Sequence, residues 1–277
     1  MRWVFVAIAL TLIIVVAVAL GPSLVPFDVN NIYWDGYSTA SSICLRPTYS
    51  IGGFGNASAV FITPEAALPR PVINALITYV SGGGRLVIMG GVNTQANELL
   101  RELGIGSRFT DAVIEDPVMN AINPSFPLAF TINNSILPMN ASVIAMEEAV
   151  AIRVNDPGAV VLAETSPFSR VGNQSGPFPV VVAVPLGRGY VILVSSPTPF
   201  MNSLIGYADN ANFLRDLCGN GTALYLEYAL SMNNTQLLIR EYLYMAYGVA
   251  SKYPINYSLI IAPIILSSIV LLIRSKR

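Results

Sequence analysis

The chain of 277 residues contains no histidine and only two cysteines. Zinc sites and most enzymes with a serine or cysteine nucleophile depend on these two residue types. Two cysteines without a histidine do not supply the clustered ligands that zinc prefers. The sequence therefore predicts no metal site, and it predicts no cofactor.

Charge is scarce as well, because Asp, Glu, Lys and Arg together make up only 11% of the residues. Between Gly21 and Ile255, ten arginines and one lysine stand against sixteen acidic residues, so 11 minus 16 leaves a net charge of −5. There is no basic stripe that would neutralise phosphates. A nucleic acid is therefore not expected as a partner.

Charged residues are missing altogether from two long apolar runs, Trp3–Leu20 and Tyr257–Ile273. As helices these runs would be about 26 to 28 Å long, close to the ~30 Å hydrocarbon core of a bilayer. Basic residues flank both runs at the extreme ends of the chain, and such residues are retained on the cytoplasmic side. The flanking residues are Arg2, Arg274, Lys276 and Arg277.

This pattern predicts a protein of the cell membrane, with the lipid bilayer as a partner and both termini in the cytoplasm. We expect a transmembrane helix over 1–21, an extracellular domain over 22–232 and a juxtamembrane helix over 233–255. A second transmembrane helix over 256–274 and a cytoplasmic tail over 275–277 complete the prediction. The small residues Ala17–Ala19 leave a cleaved signal peptide as the alternative for the first run.

Acceptor triplets for glycosylation and the cysteine pair fit an exported domain. A disulfide between Cys44 and Cys218 is one alternative, and two buried free thiols are the other. The triplets have the pattern Asn-x-Ser/Thr, which predicts surface loops in an exported glycoprotein. The candidate acceptors are Asn56, Asn133, Asn140, Asn173, Asn220 and Asn233.

Strand and helix signals alternate in the first half of the domain. Ala59–Ile62 is a short apolar run typical of a buried strand, and Pro71 then opens a helical pattern that glycines 82–84 close. Leu86–Met89 has the character of a strand buried on both faces. Thr94 is positioned to cap a helix that runs to Leu103. A parallel α/β sheet is the natural product of such a series.

The second half is less regular. Residues 105–155 are rich in Pro, Asn and Met, which indicates an insertion or long loops around short strands such as Ser142–Met146. The runs Val180–Val184 and Tyr190–Val194 read as an antiparallel hairpin at one side of the sheet. Asp209 is expected to cap a helix through Leu217, before a last strand over 222–226.

Several segments in a fixed order resemble the archaeal members of the family known as domain of unknown function 4350. The resemblance covers about residues 30–228. It implies a membrane-anchored protein with a class I glutamine amidotransferase-like fold, so we expect a flavodoxin-like or amidotransferase-like α/β domain with a mainly parallel sheet and flanking transmembrane helices. The segments are Ala59–Pro64 (AVFITP), Tyr79–Ile88 (YVSGGGRLVI), Asp116–Pro117, Gly176–Pro179 (GPFP), Gly187–Asn202 (GRGYVILVSSPTPFMN) and Asp209–Phe213 (DNANF).

The chemistry of a glutamine amidotransferase is nevertheless missing. In that fold a cysteine on a tight turn after a strand is activated by a histidine, which an acidic residue orients. The comparable turn here is Gly90–Thr94 (GGVNT), which has neither cysteine nor serine, and the chain has no histidine. We therefore predict that the domain is not an enzyme of this class.

In such a fold we expect any binding pocket to lie beyond the carboxyl ends of the strands. The candidate residues are small and neutral, and a structural role in turns and caps is the alternative reading for them. They follow two predicted strands. The candidates are Gly90, Gly91, Asn93 and Thr94 after the first strand, and Ser195, Ser196, Thr198 and Asn202 after the second.

The leading hypothesis is a non-catalytic binding or scaffold component of an archaeal cell-envelope complex. The resemblance implies a MoxR-type ATPase and a protein with a von Willebrand-like domain as partners. The alternative is an envelope hydrolase that acts on surface glycans through carboxylates. The adjacent pairs Glu115–Asp116 and Glu147–Glu148 argue against it, since neighbours on a strand point to opposite faces.

Overall fold

The computed structural model describes residues 22–49, 51–230, 238–243 and 245–246, together with six single residues between 3 and 13. The chain divides into two compact units, and one of them spans Pro22–Met232. The described residues of the other unit are helical. The unit Pro22–Met232 carries the whole sheet described below.

The described residues of this unit form four α-helices and thirteen strands. The helices are α1 (Ser38–Ile43), α2 (Arg70–Ser81), α3 (Ala96–Glu102) and α4 (Asn210–Cys218). The strands are β1 (Leu45–Thr48), β2 (Ala59–Ile62), β3 (Arg85–Met89), β4 (Arg108–Val113), β5 (Leu128–Thr131), β6 (Val143–Ala145), β7 (Val150–Arg153), β8 (Val160–Thr165), β9 (Arg170–Val171), β10 (Gln174–Ser175), β11 (Pro179–Leu186), β12 (Gly189–Val194) and β13 (Ala223–Leu226). Three short 3₁₀ helices occur at Ile51–Asn56, Thr198–Phe200 and Glu227–Ala229.

Nine strands form one mixed sheet in the order β1-β13-β2-β3-β12-β11-β8-β5-β6. The four pairings from β1 to β12 are parallel, and the four pairings from β12 to β6 are antiparallel. The prediction of a mainly parallel sheet is therefore wrong. The physical reason is that the chain passes through residues 103–197 without an α-helix, so these strands return by direct turns rather than by helical crossovers.

The hairpin of β11 and β12 lies at the centre of the sheet and not at one side, because β12 pairs with β3 on its other edge. Gly187 occupies the turn with a φ of 62°, a conformation that favours glycine. β12 is thus the strand at which the parallel half meets the antiparallel half.

Helices cover both faces of the parallel half. One face of the sheet contributes Val60, Ile62 and Ile88 to a core that packs against α2 and α3. The other face carries Phe61, whose ring lies 6.3 Å from that of Phe200. Phe200 in turn stacks on Phe213 of α4 at 5.5 Å. The result is a three-layer arrangement that buries all of β2 and all of β3 except Arg85 at its start.

Cys44 and Cys218 form a disulfide with an S–S distance of 2.09 Å. Cys44 follows α1 directly and Cys218 is the last residue of α4. The bridge therefore ties the two helices on one face of the sheet together across 174 residues of chain.

Among the residues that the structure describes, no helix combines the length and the apolar character needed to span a bilayer. The prediction of a transmembrane helix at each end conflicts with this finding. We correct the predicted architecture and, with it, the predicted localisation in a cell membrane with an extracellular domain and cytoplasmic termini. The segments 1–21, 233–255, 256–274 and 275–277 lie largely or wholly outside the described residues.

Candidate functional site

The carboxyl ends of β13, β2, β3 and β12 meet at one edge of the sheet, since these strands run parallel. A cavity of about 300 Å³ opens at this edge, which we call the strand-end cavity. Ligands of open α/β sheets gather at such edges. Its lining residues are Phe27, Glu65, Gly91, Val92, Asn93, Thr94, Glu147, Glu148, Ser196, Pro197 and Thr198.

The turn after β3 forms one wall. Thr94 Oγ1 accepts a hydrogen bond from Gly91 N at 3.2 Å and donates one to Gly91 O at 3.1 Å, which closes the turn on itself. Gly90 lies behind the wall, where its N–H donates to Val194 O at 2.9 Å. A Cβ added to Gly90 would lie 2.5 Å from the ring of Phe109. Gly90 therefore serves the close packing of β3 against β4 rather than a ligand.

The loop after β12 forms a second wall and is bonded to the segment after β6. Ser196 Oγ donates to Glu147 O at 2.7 Å, and Glu147 N donates to Thr198 Oγ1 at 2.8 Å. The two hydroxyls lie 2.9 Å apart. Both predicted hydroxyl groups are therefore occupied in holding Glu147 beside the cavity.

Two other predicted site residues lie outside the lining. Ser195 is fully buried, with Oγ 3.5 Å from Met146 Sδ. Asn202 uses its amide to fix the first turn of α1 and the loop before it, since Oδ1 accepts from Thr39 N at 2.8 Å and Nδ2 donates to Tyr33 O at 2.6 Å. The structure thus brings Gly91, Asn93, Thr94, Ser196 and Thr198 together at the cavity, and it gives Gly90, Ser195 and Asn202 structural positions.

Three carboxylates line the strand-end cavity, and sequence reasoning did not select any of them for it. They are Glu65, Glu147 and Glu148. Glu65 follows β2 and Gly91 follows β3, at the same edge of the sheet. Ligands gather beyond the carboxyl ends of such strands, so the reasoning that selected Gly91 from the sequence also applies to Glu65. Glu147 and Glu148 come from the irregular region 105–155, whose path the sequence pattern did not reveal.

Glu147 and Glu148 both reach the cavity because they lie in a bend rather than in a strand. Glu148 has a φ of 49°, so the alternation of side chains along a strand does not apply to this pair. Burial raises the pKa of Glu147, and the neighbouring charge of Glu148 raises that pKa further. The cavity therefore concentrates negative charge, and its lining contains no basic residue.

Left-handed backbone conformations cluster at this cavity. Four residues other than glycine have a positive φ in the described part of the chain, and three of them line the cavity. These are Phe27 (62°), Asn93 (67°) and Glu148 (49°). Such conformations cost about 1–3 kcal/mol each and gather at binding and active sites. Nothing in the sequence pattern marks them.

Buried hydroxyl groups form the floor beneath these loops. Tyr37 Oη donates to Pro197 O at 2.5 Å, and Tyr225 Oη donates to Thr63 Oγ1 at 3.1 Å. Burial raises the pKa of both tyrosines well above the usual value, and the charge of Glu65 raises it further in each case. Both tyrosines stay neutral, so they act as hydrogen-bond donors that hold the loops in place.

An exposed aromatic loop belongs to the same edge. Phe27 N donates to Asp35 O at 2.8 Å, which closes a loop on whose tip Ile32, Tyr33 and Trp34 are exposed. Trp34 is 67% exposed. The backbone of this tip is fixed to the segment after β12, because Ser203 N donates to Trp34 O at 3.0 Å. Large exposed apolar side chains thus stand on the loop that supplies Phe27 to the cavity.

The arrangement does not assemble a glutaminase triad, because the chain has no histidine and the turn after β3 has neither cysteine nor serine. Asp116 is fully buried and accepts hydrogen bonds from Val118 N at 2.9 Å and Met119 N at 2.7 Å. Glu115 and Glu164 do not line the strand-end cavity. Within the described ranges no group of three or more His, Cys, Asp or Glu is spaced to hold a metal ion.

The candidate glycosylation sites are exposed wherever the structure describes them. Asn56, Asn133, Asn140, Asn173 and Asn220 have exposed side chains, and Asn233 lies outside the described residues. Asn140 Nδ2 donates to Asp216 Oδ1 at 2.8 Å, so this amide already has a partner. Occupancy of these sites stays a prediction.

The fold and the cavity define a mixed α/β domain with an acidic site at its strand ends. The chain belongs to the family described as domain of unknown function DUF4350, whose model matches residues 45–218. None of the curated proteins matches the chain.

The chain is similar to several solved structures at low identity. The N-terminal domain of mmIFT52 is 18% identical over 56% of this chain and 73% of that chain, with a TM-score of 0.43. A cytoplasmic protein from Salmonella typhimurium LT2 is 15% identical over 64% of this chain and 78% of that chain, with a TM-score of 0.41. A β-galactosidase from Bacillus circulans sp. alkalophilus is 15% identical over 58% of this chain and only 22% of that chain, with a TM-score of 0.39. Such low scores carry no information about function.

Proposed function

We propose that the domain is a non-catalytic binding module whose strand-end cavity receives a cationic side chain, lysine or arginine, of a partner protein. The observation that carries the proposal is the convergence of Glu65, Glu147 and Glu148 on a cavity without a basic residue. A carboxylate forms its strongest hydrogen bonds with ammonium and guanidinium groups. A cation from outside the chain would therefore offset the negative charge of the cavity and relieve the repulsion between Glu147 and Glu148.

The absence of histidine and the bonding of the hydroxyl groups support a non-catalytic role. Ser196 and Thr198 are bonded to the main chain of Glu147, and Thr94 is bonded to Gly91. A nucleophilic hydroxyl needs an adjacent base that takes its proton. Each of these hydroxyls instead holds a loop in its conformation.

The exposed loop tip supports a protein as the ligand. Tyr33 and Trp34 offer large and rigid contact surfaces on the loop that also supplies Phe27 to the cavity. Aromatic residues of this kind dominate the binding energy of many interfaces. A partner that inserts its cation into the cavity would cover the aromatic tip at the same time.

The resemblance to archaeal family members makes a MoxR-type ATPase and a protein with a von Willebrand-like domain candidate partners. The archaeal affiliation and the kinship with class I glutamine amidotransferases are likewise part of this proposal. They rest on the resemblance of the quoted segments alone.

Affinity capture with charge variants tests the proposal. The wild type and the control variant E115Q should recover the same partner, because Glu115 is exposed and lies outside the cavity lining. The double variant E147Q/E148Q should lose that partner. Capture of the bait alone by the wild type, or the same partner with all three baits, would contradict the proposal.

A carboxylate hydrolase is the second candidate, and one observation favours it. The raised pKa of Glu147 beside Glu148 is the relation found between an acid and a second carboxylate in glycosidases. Chromogenic glycosides provide the test. Turnover that is lost in E147Q and kept in E115Q would establish this function, and the absence of turnover in the wild type rejects it.

A further inference from the structure

A second cavity, of about 870 Å³, lies at the opposite edge of the sheet, where the parallel strands begin. Its lining includes Arg46 near the start of β1, Arg85 at the start of β3 and Arg215 on α4. The volume falls within the ~300–1,000 Å³ typical of ligand pockets. We call it the arginine cavity.

The guanidinium group of Arg85 is fixed at the cavity wall. Its Nη1 donates to Leu217 O at 2.8 Å and to Asp216 O at 3.2 Å, the last carbonyl groups of α4. Burial lowers the pKa of Arg85, yet an arginine keeps its charge at any physiological pH. The cavity thus holds a positive charge whose position does not depend on a ligand.

Arg46 and Arg215 are exposed and complete the positive lining. Arg215 Nη1 donates to the neutral Asn212 Oδ1 at 3.1 Å. The salt bridges of the described residues involve Arg70 and Arg101, and none of them involves an arginine of this cavity. Three guanidinium groups therefore share one cavity without a carboxylate of the described chain as ion-pair partner.

Asp216, the acidic residue of the lining, is bonded to a different segment. Its Oδ2 accepts from Asn140 N at 2.7 Å and from Ala141 N at 2.9 Å, and its Oδ1 accepts from Asn140 Nδ2 at 2.8 Å. Three arginines against this one carboxylate, 3 minus 1, leave a formal charge of +2 in the lining. This excess occurs in a chain whose formal net charge is −1.

Neutral hydrogen-bonding groups make up much of the remaining wall. Ser41, Ser42 and Thr222 supply hydroxyl groups, and Asn220 supplies an amide. The disulfide of Cys44 and Cys218 also lies in the lining and joins two sides of the cavity. Such a wall suits a ligand with several hydroxyl groups.

We propose that the arginine cavity binds a sugar-sized ligand that carries an oxyanion, a phosphate or a carboxylate. Guanidinium groups recognise both oxyanions through paired N–H donors. The hydroxyl and amide groups of the wall pair with the hydroxyl groups of the sugar. This site is independent of the strand-end cavity, which carries the opposite charge at the other edge of the sheet.

Calorimetric titration with glucose 6-phosphate, glucuronate and glucose tests the proposal on the full chain. At least one of the two acids should bind, glucose should bind more weakly, and added salt should weaken the binding of the acid. The tighter of the two acids identifies the oxyanion. The double variant R46Q/R215Q should lower the affinity for that acid about tenfold or more, since it removes two charge-assisted partners.

R188Q is the matched control, because Arg188 is exposed on the turn between β11 and β12 and does not line the cavity. It should bind like the wild type. The single variant R46Q removes only one exposed side chain and should lower the affinity for the acid by an intermediate amount. It still tests the proposal if the double variant does not fold. Any of three results overturns the proposal. The first is that glucose and the acids bind with equal affinity, and the second is that R46Q/R215Q and R188Q bind the acid with equal affinity. The third result is that neither acid binds at millimolar concentration.

Discussion

Glu147 is the residue on which the character of the strand-end cavity depends most. Its main chain is held by Ser196 and Thr198, while its side chain faces the cavity together with Glu148. Partial burial and the neighbouring carboxylate both favour the protonated form of Glu147. At neutral pH the negative charge of Glu147 is therefore unfavourable for the folded domain. Carboxyl groups with a perturbed pKa are typical of functional sites.

E147Q should stabilise the free domain at neutral pH. A carboxyl whose pKa is raised by folding contributes stability when protonated, below its unfolded pKa of ~4.3, and loses that contribution as the pH rises through the raised value. Glutamine avoids this loss. We expect a gain of less than about 1 kcal/mol at pH 7, because solvent screens a partly exposed group. Thermal unfolding of the variant and the wild type across pH measures this gain in stability. If the gain is the same at about pH 3, the charge of Glu147 is not its cause.

Gly90 packs against Phe109 and does not line the strand-end cavity. G90A should lower the free energy of unfolding by about 1–3 kcal/mol, because its Cβ would overlap the ring of Phe109. The control G206A should be nearly neutral, since nothing lies within 4 Å of a Cβ at Gly206. Urea denaturation measures both.

The double variant G90A/F109L distinguishes this cause from a general loss of flexibility. A smaller side chain at position 109 should relieve part of the overlap, so the two substitutions should cost less together than their sum. Strict additivity would show that Phe109 is not the source of the cost.

At the scale of elements, local patterns predicted the parallel half of the sheet well. Ala59–Ile62 forms β2 with the predicted bounds, and the helix opened by Pro71 is α2, which begins one residue earlier. Strong apolar periodicity between proline and glycine signals carries this information. β2 also pairs with β3, the next strand along the chain.

The antiparallel half could not be predicted in the same way. β5 and β6 are short and come from a region rich in Pro and Asn. They pair with each other, and β5 also pairs with β8. Strands of three or four residues are too short to show a clear apolar period. Asp209 illustrates the same limit. It precedes α4 as predicted, but its Oδ2 accepts from Ser142 N and Val143 N instead of capping the helix. Tertiary partners here replaced the local ones that a sequence pattern describes.

The disulfide of α1 and α4 gives a prediction at this scale. Replacing both cysteines in C44S/C218S should lower the free energy of unfolding by about 2–5 kcal/mol, because the bridge closes a loop of 174 residues. A strong reductant should bring the wild type to the stability of the variant and leave the variant unchanged. Insensitivity of the wild type to the reductant would show that the bridge adds nothing to stability.

At the scale of the whole unit Pro22–Met232, the two edges of the parallel strands differ in charge. Three glutamates line the cavity at the carboxyl edge, and three arginines line the cavity at the amino edge. Opposite charges on separate cavities favour different partners and suppress the wrong ones. The two proposed sites would therefore select ligands of opposite charge.

The most direct test of the acidic site is a nuclear magnetic resonance titration of the domain with N-acetyl-lysine amide and N-acetyl-arginine amide, using N-acetyl-norleucine amide as the neutral control. We expect the cationic probes alone to shift the backbone amides of Asn93, Thr94 and Glu148. These shifts should disappear in E147Q/E148Q and persist in E115Q. Binding should also weaken as the pH falls through the raised pKa of Glu147. Equal shifts with the neutral probe, or cationic shifts that survive in E147Q/E148Q, would show that the strand-end cavity is not a site for cationic side chains.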